Sequence, residues 1–252
     1  MQDLLQTLAT AISKATTLRK EGDGLRKDAA EATASDKADD LRAEAFATYR
    51  QAANGLSDLA RSDLVKAVRL PSHPLTPETP ESRLVALLVE LHGATGGLFQ
   101  RLGERDKALA HYREGVTLES RYGLPSTYNR LNALKIELLD GIETLARVTP
   151  RLEELAAHIQ QSLDNDQKLG DGGWIYADLG DCLALLGRTA EAAPAYATFV
   201  AKAGVKLPER SLDVLKDVAR ALHKSGDADA AHIDAAIATL SARLTAADSN
   251  DN

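Results

Sequence analysis

Six histidines, at positions 73, 92, 111, 158, 223 and 232, are the side chains best suited to proton transfer or metal ligation near neutral pH. No two of them stand four residues apart, and the His-Glu-x-x-His pattern that sets two imidazoles on one helix face for zinc is absent. His92 falls in a large-residue slot of a helical repeat, which predicts a partly buried packing role. Cys182 stands two residues after Gly180 on a helix that must meet its neighbour closely, and a small buried hydrophobe is the role expected of it. Gly170-Asp171-Gly172-Gly173 and Glu21-Gly22-Asp23-Gly24 look like phosphate-cradling loops only superficially. Neither is followed by Lys-Ser/Thr nor preceded by a strand, and both read as interhelical turns. No catalytic, cofactor-binding or metal-ligating residue is assigned, and the chain reads as non-enzymatic.

The polar cluster with the best prospect of contacting a partner is Tyr128, Asn129, Asn132 and Lys135. Asn129, Asn132 and Lys135 recur at steps of three, roughly along one side of a helix. Their side chains could hydrogen-bond a peptide backbone. The alternative is that Asn129 satisfies free N–H groups of the first turn while Tyr128 packs. Trp174 is a candidate aromatic anchor, with Tyr122 a second, and either could equally be core.

These residues need helices to position them. The chain has 252 residues, 44% hydrophobic but only 4% aromatic, with abundant alanine. Ala/Leu cores favour close helix–helix packing, and no alternating Val/Ile/Thr/Tyr run reads as a strand. The net charge of −7 argues against a phosphate-binding face, so nucleic acid is not expected. A single cysteine suits a reducing compartment. No apolar run approaches the roughly 20 residues of a membrane span, and Met-Gln-Asp-Leu-Leu-Gln lacks a signal peptide's basic start. A cytoplasmic location without membrane contact is expected.

Apolar residues at Leu5, Leu8, Ile12, Ala15, Leu18, Leu25 and Ala29 predict a helix over about 3–33, with Gly22 and Gly24 weakening its middle and able to split it. Ser35 is the expected N-cap of a second helix reaching Arg61. Four prolines between Leu70 and Pro80 let no helix cross. The expected organisation is an N-terminal hairpin at 1–69, a Pro-rich linker or loop at 70–80, helical repeats at 81–246 and a disordered tail at 247–252. Within the repeats, Ser126 is an expected cap, and Thr149-Pro150 reads as a cap with Pro at the first helical position.

Turn glycines Gly103, Gly187 and Gly226 are 84 and 39 residues apart, a period near 40 with one turn missing near Leu145. Two helices per period is the mark of an α-solenoid. The units resemble tetratricopeptide repeats at specific positions. The best runs Gly96, Phe99, Gly103, Ala108, Tyr112, Gly115, and the next runs Tyr176, Leu179, Gly180, Leu183, Gly187, Ala192, Tyr196, with Phe199 replacing the last small residue. The final unit has Leu215, Ala219, Leu222, Gly226, Ala231, Ala235 and Ala238, and the N-terminal hairpin shows only Ala45, Tyr49 and Ala52. Small residues let two backbones approach and the aromatic fills the space beside them. The resemblance implies an all-α, right-handed superhelical solenoid of antiparallel hairpins, with a long N-terminal hairpin. It also implies a scaffold or adaptor that recruits a protein or peptide partner. The carboxylate clamp known in that family is not expected, because Gly93 and Gly97 fill the slots that would carry it.

The phrases Tyr112–Gly115 with Tyr128–Asn132, and Trp174–Gly180 with Leu186-Gly187, resemble repeat segments that accompany effectors in bacterial conflict or signalling systems. Self-assembly into a homodimer through an apolar face on residues 41–59 is the alternative reading, with a small-ligand sensor or an enzyme ranked after it.

Overall fold

The computed structural model describes residues 1–68, 70, 75–76, 78–124, 127–164, 173–203, 206–226 and 230–248, with side chains except at 203, 206–211 and 243–248. Most of the Pro-rich stretch, the Ser126 cap, Gly170-Asp171-Gly172 and the last four residues lie outside these. Among the described residues every regular element is a helix. The chain forms two compact units, Met1–Leu124 and Pro125–Asn252.

The first unit holds α1 (Gln2–Glu31), α2 (Ser35–Arg61), the short α3 (Asp63–Lys66), α4 (Pro80–Arg101) and α5 (Arg105–Tyr122). Helices α1 and α2 form the N-terminal hairpin, and α4 packs on both of them and on α5. The two hairpins therefore share one core, and the division between units falls after α5 rather than at 70–80. The second unit holds α6 (Tyr128–Leu139), α7 (Leu145–Asp164), α8 (Trp174–Leu185), α9 (Thr189–Ala203), α10 (Lys206–Ser225) and α11 (Ala230–Asp248). Its core runs continuously from Leu131 on α6 to Leu240 on α11.

Several sequence expectations change. Helix α1 is unbroken through Gly22 and Gly24. Gly22 is instead a packing residue, since a Cβ there would lie 2.6 Å from Tyr49 Cε1. Ala34, not Ser35, occupies the N-cap of α2 and gives no side-chain cap. Pro150 sits inside α7, which begins at Leu145, and Thr149 Oγ1 donates to the Leu145 carbonyl rather than capping. The Thr-Pro start does occur at Thr79-Pro80, where Thr79 Oγ1 accepts from the Ser82 N–H at 3.1 Å. The missing turn is made by Gly141 at φ 65°. After each of Gly103, Gly123, Gly141 and Gly187 the next N–H returns to a carbonyl five residues back, closing the helix end.

The register of α11 also shifts. Ala231, Ala235 and Ala238 are exposed, and the buried face is Ala230, Ile233, Ala236 and Leu240. A helix this rich in alanine offers small residues on every side. Ile233 and Leu240, with Ile237 partly buried beside them, choose the face, because each removes far more apolar area from water than alanine does.

Candidate functional site

Three glycine–tyrosine contacts organise the hairpins: Gly22 with Tyr49, Gly96 with Tyr112 and Gly180 with Tyr196. Each ring lies against bare helix backbone, and each hydroxyl then reaches a polar group on the facing helix. Tyr49 donates to Asp23 Oδ1 at 2.7 Å, Tyr112 to Gln100 Oε1 at 3.0 Å and Tyr196 to Asp181 Oδ1 at 2.9 Å. In the first and third the acceptor directly follows the glycine, and a cation from another helix completes the set. Arg101 Nε lies 3.3 Å from Asp23 Oδ1, and Lys135 Nζ is paired with Asp181 Oδ2. Burial and the Asp23 hydrogen bond push the Tyr49 hydroxyl up to about 12.

The Lys135 cluster is the more deeply buried. Lys135 and Asp181 side chains are 6% and 2% exposed. Burial opposes the Lys135 charge, but the carboxylates of Asp181 and Asp178 outweigh it and raise the ammonium above its usual value. Asp178 accepts a 2.8 Å hydrogen bond from Thr127 Oγ1, and burial pushes its carboxyl up to about 6. Burial also holds the Cys182 thiol protonated, well above its ordinary value, and the thiol is fully enclosed.

This arrangement reassigns the residues expected to meet a partner. Asn129 and Lys135 are buried at 1% and 5% exposure, so they do not form an exposed row with Asn132. Helix α6 is packed by α7, α8 and α10, and a helix with three neighbours keeps almost no open side. Tyr128 is 42% exposed, and Asn132 Nδ2 donates to its carbonyl at 2.8 Å. Trp174 is 38% exposed, its ring 5.3 Å from that of buried Phe199. The face of α2 proposed for self-assembly is turned inward: Ala45, Tyr49, Ala52, Ala53 and Leu56 are buried, while Phe46 is exposed. Comparison with protein families, characterised proteins and known structures gives no match.

Sequence reasoning missed two further groups. One is a groove of about 630 Å³ between α7 and α9, floored by α8. Leu163, Tyr176, Leu179 and Leu183 supply its apolar surface, and Glu153, Asp164 and Glu191 stand on its rim with Arg188. Arg188 is held by Glu191 through two hydrogen bonds, the Nε one 2.7 Å, which leaves the remaining rim acidic. No local motif announces a groove, because three separate helices build it.

The other is a relay in the first unit. Ser57 Oγ lies 3.2 Å from His111 Nε2, and His111 Nδ1 lies 3.3 Å from His92 Nδ1. The layout is that of nucleophile, base and orienting group. Ser57 is 2% exposed, however, so the relay is better suited to joining α2, α4 and α5 than to meeting a substrate. Burial lowers both imidazoles to about 4, and the neighbouring His92 further disfavours a charge on His111. The unfolded chain protonates these rings near pH 6.5 and the folded chain only near 4, so in that window the unfolded state holds more protons. Stability from this pair is full above pH 6.5 and falls as pH drops toward 4. The expected loss is on the order of 3 kcal/mol per ring. Urea unfolding followed across that range checks it, and the acid sensitivity disappears in a His92→Gln/His111→Gln variant.

Proposed function

We propose that this chain is a protein-interaction scaffold that recruits or regulates a partner protein, and that the groove over α8 receives an amphipathic helix of that partner. The groove carries the reading. Its floor is apolar, its walls are two long helices, and its rim keeps the carboxylates of Glu153 and Asp164. At 1.5 Å per residue the 15-residue α9 offers a wall about 22 Å long, enough for some four turns of a bound helix. An apolar stripe flanked by Lys or Arg matches both the floor and the rim.

Tyrosine seated on glycine in three of the hairpins supports the tetratricopeptide-like reading, in which the hairpins continue as a right-handed solenoid. A cytoplasmic adaptor follows from the same reading. Regulation of an effector in a bacterial defence or signalling assembly rests on the resemblance of the two sequence phrases alone.

Affinity capture from the native cell with crosslinking and mass spectrometry tests the proposal. The expected result is a stoichiometric protein whose crosslinks fall on α7 and α9. Recovery should drop at least tenfold when Glu153→Lys is combined with Ala157→Arg, two exposed changes at the groove. Recovery unaffected by these changes sinks the groove, and recovery of the chain alone sinks the scaffold.

A further inference from the structure

The His92–His111 pair on α4 and α5 has the spacing of a metal chelate. Two Zn–N bonds of about 2.0–2.1 Å opening at the tetrahedral angle separate their nitrogens by about 3.3 Å. The two Nδ1 atoms are 3.3 Å apart. We propose that His92 and His111 form a divalent transition-metal site, with zinc the reference ligand, that clips α4 to α5.

A partner that orients His111 is already present. Ser57 Oγ stands 3.2 Å from His111 Nε2. When that nitrogen donates its hydrogen to Ser57, Nδ1 of His111 carries a bare lone pair facing His92. Metal-ligating histidines are held in this way by a hydrogen bond at the far ring nitrogen. The ring of His111 is further fixed by stacking on Phe99, with centroids 5.7 Å apart and planes inclined by 18°. With His111 in that tautomer, His92 Nδ1–H donates to the lone pair in the metal-free protein. When a cation enters, His92 moves its proton to Nε2 and both Nδ1 atoms face the ion, so neutral imidazoles bind without net loss of a proton.

The required movement is small. The ring centroids are 5.5 Å apart, and two tetrahedral Nδ1 ligands place them at about 5.2 Å. Both rings are partly exposed, so the ion has an approach from solvent. Arg61 opposes a cation near His111, while Glu114, one turn along α5, favours it. Arg61 itself is paired with Asp58 at 2.9 Å. Among the described residues no group of three His, Cys, Asp or Glu is assembled, so water completes the coordination. Two protein ligands imply modest affinity. Nitrogen-rich sites follow the order in which copper and nickel also compete.

The test uses untagged full-length protein titrated with zinc chloride. We expect one equivalent to bind with a dissociation constant on the order of 10 μM, and saturating zinc to raise the thermal midpoint by about 5 °C. His92→Gln or His111→Gln should weaken binding at least tenfold, whereas His158→Gln and His223→Gln should not. Imidazole nitrogen NMR of the wild-type protein gives an answer independent of variant folding. Zinc should shift Nδ1 of His92 and His111 together. No binding at millimolar zinc, or shifts confined to other histidines, overturns the site.

Discussion

Replacing Lys135 by methionine should destabilise the second unit by about 3–5 kcal/mol, the usual consequence of leaving one member of a buried ion pair uncompensated. Methionine fills nearly the same volume, so little of the loss comes from packing. The penalty arises at Asp181, whose carboxylate loses its ammonium partner in a setting 2% exposed while still accepting from the Tyr196 hydroxyl. Asp181 can escape by taking up a proton. A buried carboxylate deprived of its cation favours the protonated form, so the folded variant binds more protons than the unfolded chain at mildly acid pH. The variant should therefore recover stability as pH falls, narrowing its gap to the wild type. A Lys135→Met/Asp181→Leu double variant should regain most of the loss, because apolar residues of similar volume often replace a buried pair at no net cost. About 1–2 kcal/mol should remain, since Tyr196 loses its acceptor. Trp174 is the chain's one tryptophan and packs on Phe199, so its fluorescence reports unfolding of this unit. Equal stability of Lys135→Met and wild type at pH 8 would show that the pair carries no charge in the folded protein.

Alanine substitutions at glycine should act with opposite signs, even two residues apart on one helix. A Cβ at Gly180 would lie 2.5 Å from Tyr196 Cε1, and that ring is fully buried with its hydroxyl fixed on Asp181. The ring can retreat only by displacing packed neighbours. Overpacking of this kind destabilises by about 1–3 kcal/mol, against which alanine regains up to about 1 kcal/mol of helix propensity. A net loss near 2 kcal/mol is the expectation for Gly180→Ala by denaturant unfolding. Gly22→Ala, 2.6 Å from Tyr49 Cε1, should behave alike. Gly24→Ala meets nothing within 4 Å and should stabilise the protein by up to about 1 kcal/mol. Loss of stability in Gly24→Ala, or none in Gly180→Ala, would refute the close-approach role of these glycines.

The glycines show where a sequence is ambiguous. Glycine lowers helix propensity wherever it falls, so Gly22 and Gly24 together argued for a broken helix. The facing side chain decides otherwise, and Tyr49 is 27 residues away. The repeated phrases Gly22-Asp23 and Gly180-Asp181, each with a tyrosine on the following helix, were open to reading as paired clamps. What hid them was the cation, since Arg101 and Lys135 come from other helices.

Helical periodicity, turn glycines and the Ala/Leu composition by themselves determined that the described chain is all-helical, and they placed α1 and α2 to within a few residues. Those signals are local, because backbone hydrogen bonds and turn conformations depend on residues within a few positions. The burial of Asn129 and Lys135, the face of α11, the interior position of Pro150 and the shared core of the first two hairpins were decided by tertiary packing. Each depends on how many helices surround a given one, and that number is set by apolar surfaces distant in sequence. The groove over α8 and the facing histidines of α4 and α5 belong to the same class. Their residues are ordinary in sequence and acquire chemistry only when separate helices bring them within a few ångströms.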